Sequence, residues 1–175
     1  MRSKAGLYLD RAAGDFLRLE LREGRLVLGP GTATPLVPLE KNRFRAARGT
    51  PFELIFESLQ GNGPVRVRQV APNARAQVFE AVPEAKPTAG ELSAYAGTYY
   101  SEELDATYRI VLEEGKLRVK RKRGPDAVLA PLFADGFASD GGPSLIFERD
   151  ARRRVTGFEL NAGRVRHLRF VRREK

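Results

Sequence analysis

The sequence predicts an all-β protein made of two tandem small antiparallel up-and-down barrels, with about eight short strands in each. Three observations support this fold class: a repeat that covers the chain, alternation of apolar and polar residues with a period of two, and frequent turn residues. The 175 residues include 17 glycines and 11 prolines, which favours many short elements over long helices. A sandwich stays open as an alternative, because periodicity does not reveal strand order.

The repeat consists of landmarks that recur in the same order with an offset of 91 residues, as between Gly6 and Gly97. Three segments show it: Gly6-Leu7-Tyr8 recurs as Gly97-Thr98-Tyr99, Glu23-Gly24-Arg25-Leu26 as Glu114-Gly115-Lys116-Leu117, and Leu54-Ile55-Phe56-Glu57 as Leu145-Ile146-Phe147-Glu148. Each copy of a long internal repeat corresponds to one structural unit, so the repeat sets the domain division. We predict a first barrel over residues 1–82, a linker over 83–90 that contains Pro83 and Pro87, and a second barrel over 91–175.

Alternating side chains locate the strands. Phe16–Arg22 places leucines on one face and charges on the other, and 108–112 repeats the scheme. Glu23-Gly24 and Glu114-Gly115 predict tight hairpin turns, since glycine tolerates positive φ. Return strands are expected at 26–28 and 117–119. Further strands are predicted at 34–39, 42–47, 52–57, 64–70 and 75–81, and at 127–133, 135–139, 144–149, 153–160 and 164–172. The single helical candidate is Ala89–Tyr95.

Composition excludes several kinds of chemistry. The chain has no cysteine and one histidine, His167, which removes disulfides, thiolate catalysis, zinc sites with several ligands of these types and most histidine-based triads. We expect His167 to be a surface histidine on a strand without a carboxylate partner. The sequence therefore predicts no catalytic residues, no metal and no cofactor, and a chain that catalyses nothing by itself.

The net charge is +9, from 31 basic and 22 acidic residues, and the excess is shared by both halves. Two denser runs form a candidate patch for an anion or a partner: Arg118, Lys120, Arg121, Lys122 and Arg123 in one, Arg152, Arg153 and Arg154 in the other. The alternative is that both runs are solvated strand ends and loops, because no aromatic residues interleave with them. Specific nucleic-acid binding is not expected.

Targeting signals and membrane spans are not apparent in the sequence. The N-terminus lacks the apolar run of a signal peptide, and nowhere do about eighteen apolar residues occur together. We expect a soluble chain whose sequence specifies no compartment. If it is a fragment of an exported hydrolase, a periplasmic or secreted location is expected.

A set of motifs in the second unit resembles a known accessory domain. The set comprises Leu92-Ser93-Ala94-Tyr95-Ala96-Gly97-Thr98-Tyr99, Glu114-Gly115-Lys116-Leu117, Val155-Thr156-Gly157-Phe158 and Phe170-Val171-Arg172. Together they resemble the lipocalin-like C-terminal domain of bacterial β-lactamase-related, penicillin-binding-protein-like serine hydrolases, over residues 91–173 and more loosely over 5–82. The first unit departs from the pattern, because its closing strands lack Thr-Gly-Phe and its opening helix is missing or truncated. The Ser-x-x-Lys motif of the catalytic domain does not occur in this sequence.

The resemblance implies a non-catalytic accessory or interaction module, whose partner is a serine hydrolase catalytic domain in cis or a second copy of the chain. One alternative is a lipocalin-like barrel that binds a small lipophilic ligand, although short strands favour a lumen filled by side chains. Tyr8, Tyr99, Tyr100, Phe56 and Phe147 are expected to fill these cores. Another alternative is nonspecific polyanion binding through the basic surface.

Overall fold

The computed structural model describes residues 2–29, 34–57, 65–122, 124–139 and 143–173. The prediction of an all-β fold with two tandem barrels is confirmed, and the sandwich alternative is excluded. The chain divides into two compact units, Met1–Pro83 and Glu84–Lys175. Each unit is a closed antiparallel barrel that contains eight strands among the described residues.

The first barrel is an up-and-down meander in which each strand pairs with the next, and β1 closes the barrel by pairing with β8. A short 3-10 helix, Arg2–Lys4, precedes it. The strands are β1 (Gly6–Asp10), β2 (Asp15–Arg22), β3 (Arg25–Leu28), β4 (Thr34–Glu40), β5 (Arg43–Ala46), β6 (Glu53–Glu57), β7 (Arg66–Val70) and β8 (Gln77–Val82).

The second barrel follows the same order after a short helix, α1 (Ala89–Ser93), and closes through pairing of its last strand with its first. Its strands are β9 (Gly97–Ser101), β10 (Ala106–Glu113), β11 (Lys116–Arg121), β12 (Ala127–Phe133), β13 (Gly136–Ser139), β14 (Ser144–Arg149), β15 (Val155–Ala162) and β16 (Val165–Arg173).

The sequence repeat is reproduced in the strand register. Tyr8 lies opposite Leu17 in the first barrel, and Tyr99 lies opposite Tyr108 in the second, so both pairs keep the offset of 91 residues. The predicted hairpin turns are also confirmed. Glu23-Gly24 has φ values of 50° and 75°, and Glu114-Gly115 has 52° and 73°, the left-handed region in which glycine carries no steric penalty.

The segment between the barrels, predicted as a linker over 83–90, makes contacts with the second unit. The backbone N–H of Ala85 donates to the carbonyl of Leu132 at 3.0 Å. Thr88 caps α1: its hydroxyl accepts from the N–H of Glu91, and the Glu91 carboxylate accepts from the N–H of Thr88. This reciprocal capping box stabilises a helix that would otherwise be too short to persist.

The aromatic residues expected in the cores are buried with one exception. Tyr8, Phe56, Tyr99 and Phe147 are all within the barrel interiors. The prediction for Tyr100 is wrong: it follows the inward Tyr99 on a strand, so it points outward, and its hydroxyl donates to Asp105 at the surface. Within the part of the chain described above, no helix is long and apolar enough to span a membrane.

Candidate ligand site in the second barrel

The two ends of the second barrel differ in their packing. Because the strands alternate in direction, the connections after β9, β11, β13 and β15 lie at one end, which we call the open end. Helix α1 and the connections after β10, β12 and β14 lie at the opposite end, which we call the helix end. The candidate site lies at the open end, because the side chains there fill less of the interior than those at the helix end.

The helix end is filled by aromatic side chains. Tyr95, which follows α1, packs against Phe137 and Phe147 with ring centroids 4.9 and 4.8 Å apart. Its hydroxyl donates to Asp135 at 2.8 Å, and Arg149 Nε donates to the same carboxylate oxygen at 2.7 Å. Burial and the hydrogen bond to Asp135 raise the pKa of Tyr95. These contacts form a structural plug that keeps the end closed.

Arg172 fastens this plug to the barrel wall. Its guanidinium donates to the carbonyl oxygens of Ala94, Ala96 and Val155 at 3.1, 2.6 and 3.2 Å. A Cβ on Gly97 would lie only 3.0 Å from Arg172 Nε, so glycine leaves room for the guanidinium. Packing at the helix end thus explains two of the motifs noted in the sequence, Tyr95-x-Gly97-x-Tyr99 and Phe170-x-Arg172.

The middle of the barrel is also filled. Phe158 and Phe170 stack with ring centroids 4.7 Å apart. Tyr108 also stacks on Phe170, with ring centroids 4.6 Å apart, so the three rings form one aromatic layer. Tyr99 packs beside Phe158, and its hydroxyl donates to the carbonyl of Tyr95 at 2.7 Å. Burial raises the pKa of Tyr99 to about 12. This aromatic layer separates the helix end from the open end.

Above that layer, the open end holds a cavity of about 320 Å³. Its walls are mainly apolar side chains that point inward from six strands and from the flanking loops: Leu104, Tyr108, Val119, Ala127, Leu129, Pro143, Leu145, Leu160, Ala162, Val165 and Leu168. Small residues such as Ala127 and Ala162 occupy inward positions here, whereas the layers below use aromatic rings. The cavity therefore exists because the side chains at this end are too small to fill it.

Arg121 is the basic residue in the cavity lining. Its Nη2 donates to the carbonyl of Pro125 at 2.7 Å, which fixes the guanidinium against the loop after β11. Its Nε is buried and has no hydrogen-bond partner among the described residues. An acidic residue, Glu103, also lines the cavity and is exposed to solvent.

The entrance of the cavity carries exposed apolar side chains. Leu104, in the loop after β9, is 50% exposed, and Val165, at the start of β16, is 45% exposed. Contact of these apolar side chains with water is unfavourable, so an apolar group placed against them would be stabilised. The cavity thus opens to solvent through an apolar entrance.

The first barrel differs at the corresponding positions. Gln69 and Gln77 stand where the second barrel has Leu160 and Leu168, with the same offset of 91 residues. Gln77 Nε2 donates to Asp15 at 3.0 Å, so a polar contact replaces part of the apolar wall. At these two described positions, the apolar lining is therefore a property of the second barrel.

The first predicted basic run is largely occupied by ion pairs. Arg118 lies 3.4 Å from both Glu113 and Glu114, and Lys120 Nζ lies 3.0 Å from Glu113 and 2.9 Å from Asp126. The hydrogen bonds to Asp126 and then Glu113 raise the pKa of Lys120. Arg121 belongs to the cavity, as described above.

The remaining member of this run that the structure describes, Lys122, is exposed, and Arg123 lies outside the described residues.

The second run, Arg152-Arg153-Arg154, forms the exposed turn between β14 and β15. Asp150 organises it, accepting from the backbone N–H groups of Arg152 and Arg154 and from the Arg154 side chain. These hydrogen bonds, the one from the Arg154 backbone first, lower the pKa of Asp150. This turn lies at the helix end, whereas Lys122 lies at the open end. The structure therefore does not bring the two runs into one patch.

His167 has the carboxylate partner that we did not expect from the sequence. Its Nδ1 lies 2.8 Å from Glu159 on the neighbouring strand, and both side chains are partly exposed. Spacing along the chain could not reveal this pair, because it forms across two strands. His167 has a φ of 52°, and its backbone N–H donates to the Asn161 side chain, so it occupies an irregular position in the strand.

The described segments contain no group of three or more histidine, cysteine, aspartate or glutamate side chains that could hold a metal ion.

The fold and the cavity define a small up-and-down β-barrel protein with two barrels, one of which has an apolar cavity at its open end. Comparison of the chain with protein-family models and with curated proteins found no match.

Proposed function

We propose that the second barrel binds a small, largely apolar ligand at its open end, and that the protein acts through binding rather than catalysis. The cavity of about 320 Å³ is the observation that supports this function. Small-molecule sites are typically concave, mostly apolar and upward of roughly 300 Å³ in volume. An eight-stranded barrel has room for one such ligand.

The surroundings of the cavity fit this function. The stacked rings of Tyr108 and Phe170 contribute a rigid aromatic layer beneath it, and the exposed Leu104 and Val165 stand at its entrance. A bound apolar group would remove wall and entrance from water, which contributes roughly 25 cal/mol for each Å² of apolar surface buried. A ligand would therefore be held mainly by burial of apolar surface.

Ligand binding can be tested with the neutral fluorescent probe N-phenyl-1-naphthylamine. We expect its emission to rise and shift to the blue on binding to the wild-type protein. Ala127→Leu places extra volume in the cavity, and we expect it to weaken binding by about tenfold or more, equivalent to about 1.4 kcal/mol. Ala130→Leu is the matched control, because Ala130 lies on the same strand, β12, and is exposed.

A wild-type protein that leaves the probe emission unchanged would contradict the proposal. Equal affinities of Ala127→Leu and Ala130→Leu for the probe would also contradict it, since the probe would then bind elsewhere on the molecule.

The resemblance to the accessory domain of β-lactamase-related serine hydrolases supports a second candidate function, an interaction module that contacts a catalytic domain in cis or another copy of the chain. Val37 and Leu39, at successive outward positions of β4, are 40% and 42% exposed and would serve as a contact strip. Sedimentation velocity tests the second of these partners. We expect the wild-type protein to self-associate and the double variant Val37→Ser/Leu39→Ser to self-associate less. Identical sedimentation of the wild-type protein and the double variant would count against a self-contact through this strip.

The other partner, a catalytic domain in cis, can be tested by reading the gene sequence upstream of residue 1. We expect the reading frame to encode a Ser-x-x-Lys catalytic domain ahead of residue 1, and a frame without one would contradict attachment to a hydrolase in cis.

A further inference from the structure

We infer that the ligand of the second barrel is an amphiphile with an anionic head group, and that Arg121 binds this group. The inference rests on the proposed binding function and adds the chemical class of the ligand. A purely apolar ligand would leave a guanidinium N–H at the cavity without a partner, which is unfavourable in a buried place.

The position of Arg121 is the first support. It stands at the last residue of β11, among apolar side chains, and its buried Nε has no partner among the residues that the structure describes. The hydrogen bond from Nη2 to Pro125 already fixes the plane of the guanidinium. A carboxylate can accept from a guanidinium in a fixed orientation with little further loss of side-chain entropy.

Two other buried polar atoms without a hydrogen-bond partner belong to residues near the same end of the barrel. The described part of the chain has three buried side-chain polar atoms without a hydrogen-bond partner: Ser101 Oγ, Arg121 Nε and Asn161 Nδ2. They belong to the last or next-to-last residues of β9, β11 and β15, the strands that finish at the open end. Each of these groups can donate a hydrogen bond. Native proteins rarely leave such groups unpaired. Of these three residues, Arg121 is the one that lines the cavity, so a ligand that accepts a hydrogen bond is the expected partner of Arg121.

The charges around the cavity favour an anion over a cation at Arg121. Lys120, next to it on β11, is already paired with Glu113 and Asp126, so it does not compete for a ligand. Glu103 lines the cavity but is exposed, where solvent and salt weaken its repulsion of an anion. A buried cationic head group, in contrast, would lie against a guanidinium.

The test compares ligands that share one alkyl chain and differ in the head group: octanoate, octanol and octylamine, measured by displacement of N-phenyl-1-naphthylamine. We expect the wild-type protein to bind octanoate about tenfold or more tightly than octanol, the effect of one buried charge-assisted hydrogen bond. Octylamine should bind most weakly. This series needs no variant, so it stays informative even if Arg121 is required for folding.

Two variants then locate the head group. Arg121→Met should lower the affinity for octanoate to that for octanol while leaving octanol binding unchanged. Lys120→Met is the matched control, a basic residue of the same strand outside the cavity lining, and it should keep the preference for octanoate.

The outcomes separate this inference from the function on which it rests. Equal binding of octanoate and octanol by the wild-type protein would overturn the assignment of an anionic head group and leave the apolar cavity as the site. A preference that persists in Arg121→Met would overturn the role of Arg121. Failure of the probe itself to bind would overturn the proposed function.

Discussion

The hydroxyl of Tyr99 donates a hydrogen bond to the backbone carbonyl of Tyr95, and the first barrel repeats this contact between Tyr8 and Lys4. The distances are 2.7 and 2.9 Å, and in both cases the acceptor lies four residues before the tyrosine. The first strand of each barrel is therefore tied to the segment that leads into it. This shared contact explains why both copies of the repeat contain a tyrosine at this position.

Removing the Tyr99 hydroxyl should destabilise the second barrel. Tyr99→Phe leaves the Tyr95 carbonyl without this donor, and we expect a loss of about 1–2 kcal/mol in the free energy of unfolding. Urea denaturation followed by circular dichroism measures it. Tyr100→Phe is the control on the same strand, because the Tyr100 hydroxyl lies at the surface. A Tyr99→Phe variant no less stable than Tyr100→Phe would contradict a stabilising role for this contact.

Stability should also fall at high pH through ionisation of Tyr99. Burial raises the pKa of Tyr99 to about 12 in the folded state from 10.0. The neutral phenol is therefore favoured by folding: its contribution is fully present below pH 10 and is lost as the pH rises to about 12. The loss is on the order of 2–3 kcal/mol, since each pKa unit corresponds to about 1.4 kcal/mol.

The measurement is the free energy of unfolding from pH 9 to 12 for wild type and Tyr99→Phe. The wild-type curve should fall more steeply, because other groups that titrate in this range are common to both proteins. Parallel curves would refute the assignment to Tyr99.

Gly157 should tolerate no side chain. A Cβ at this position would overlap the backbone carbonyl oxygen of Phe170 on the neighbouring strand, which cannot move without breaking the barrel. We expect Gly157→Ala to cost about 1–3 kcal/mol or more, measured by thermal unfolding. Gly90→Ala serves as the control, since its Cβ would meet only Thr88 Oγ1 at 3.9 Å. Similar melting temperatures for the two variants would rule out this close approach.

Arg172 should be replaceable neither by alanine nor by lysine. Lysine keeps the charge but cannot reproduce the planar set of donors that reaches three carbonyl oxygens. We expect Arg172→Lys to lower the free energy of unfolding by about 1–3 kcal/mol. Arg169→Lys, on the same strand, should change it little, because the Arg169 side chain is 67% exposed and makes a surface ion pair with Glu148. If both lysine variants unfold alike, the three carbonyl contacts do not stabilise the barrel.

The fold was predictable because it depends on local patterns that occur twice. Glu23-Gly24 and Glu114-Gly115 specify their own hairpins, and alternating side chains on the strands specify which face is buried. An up-and-down barrel pairs each strand with its neighbour in sequence, so little long-range information is needed. The closure of β1 on β8 and of β9 on β16 is the exception, because it pairs strands far apart in the chain; it was expected from the number of short strands and from the exposed edges that closure removes.

The cavity was not predictable in the same way. It arises where inward residues from six strands meet, and the sequence favoured a filled interior. Small side chains at inward positions, Ala127 and Ala162, are a signal in retrospect, but their facing residues depend on the strand register. For the same reason, Glu159 could not be recognised as the partner of His167. The outward position of Tyr100, in contrast, follows from alternation with the inward Tyr99 along β9.

The central claim, that the second barrel binds a small amphiphile at its open end, is tested most directly by a ¹H–¹⁵N and methyl NMR titration with octanoate. We predict saturable shifts at the open end, at Arg121 Nε–H and at the methyl groups of Val119, Leu129, Leu160 and Leu168. Signals of the helix end, such as Leu92, and of the first barrel should stay unchanged. Shifts spread over both barrels, or confined to residues outside the cavity lining, would contradict this account.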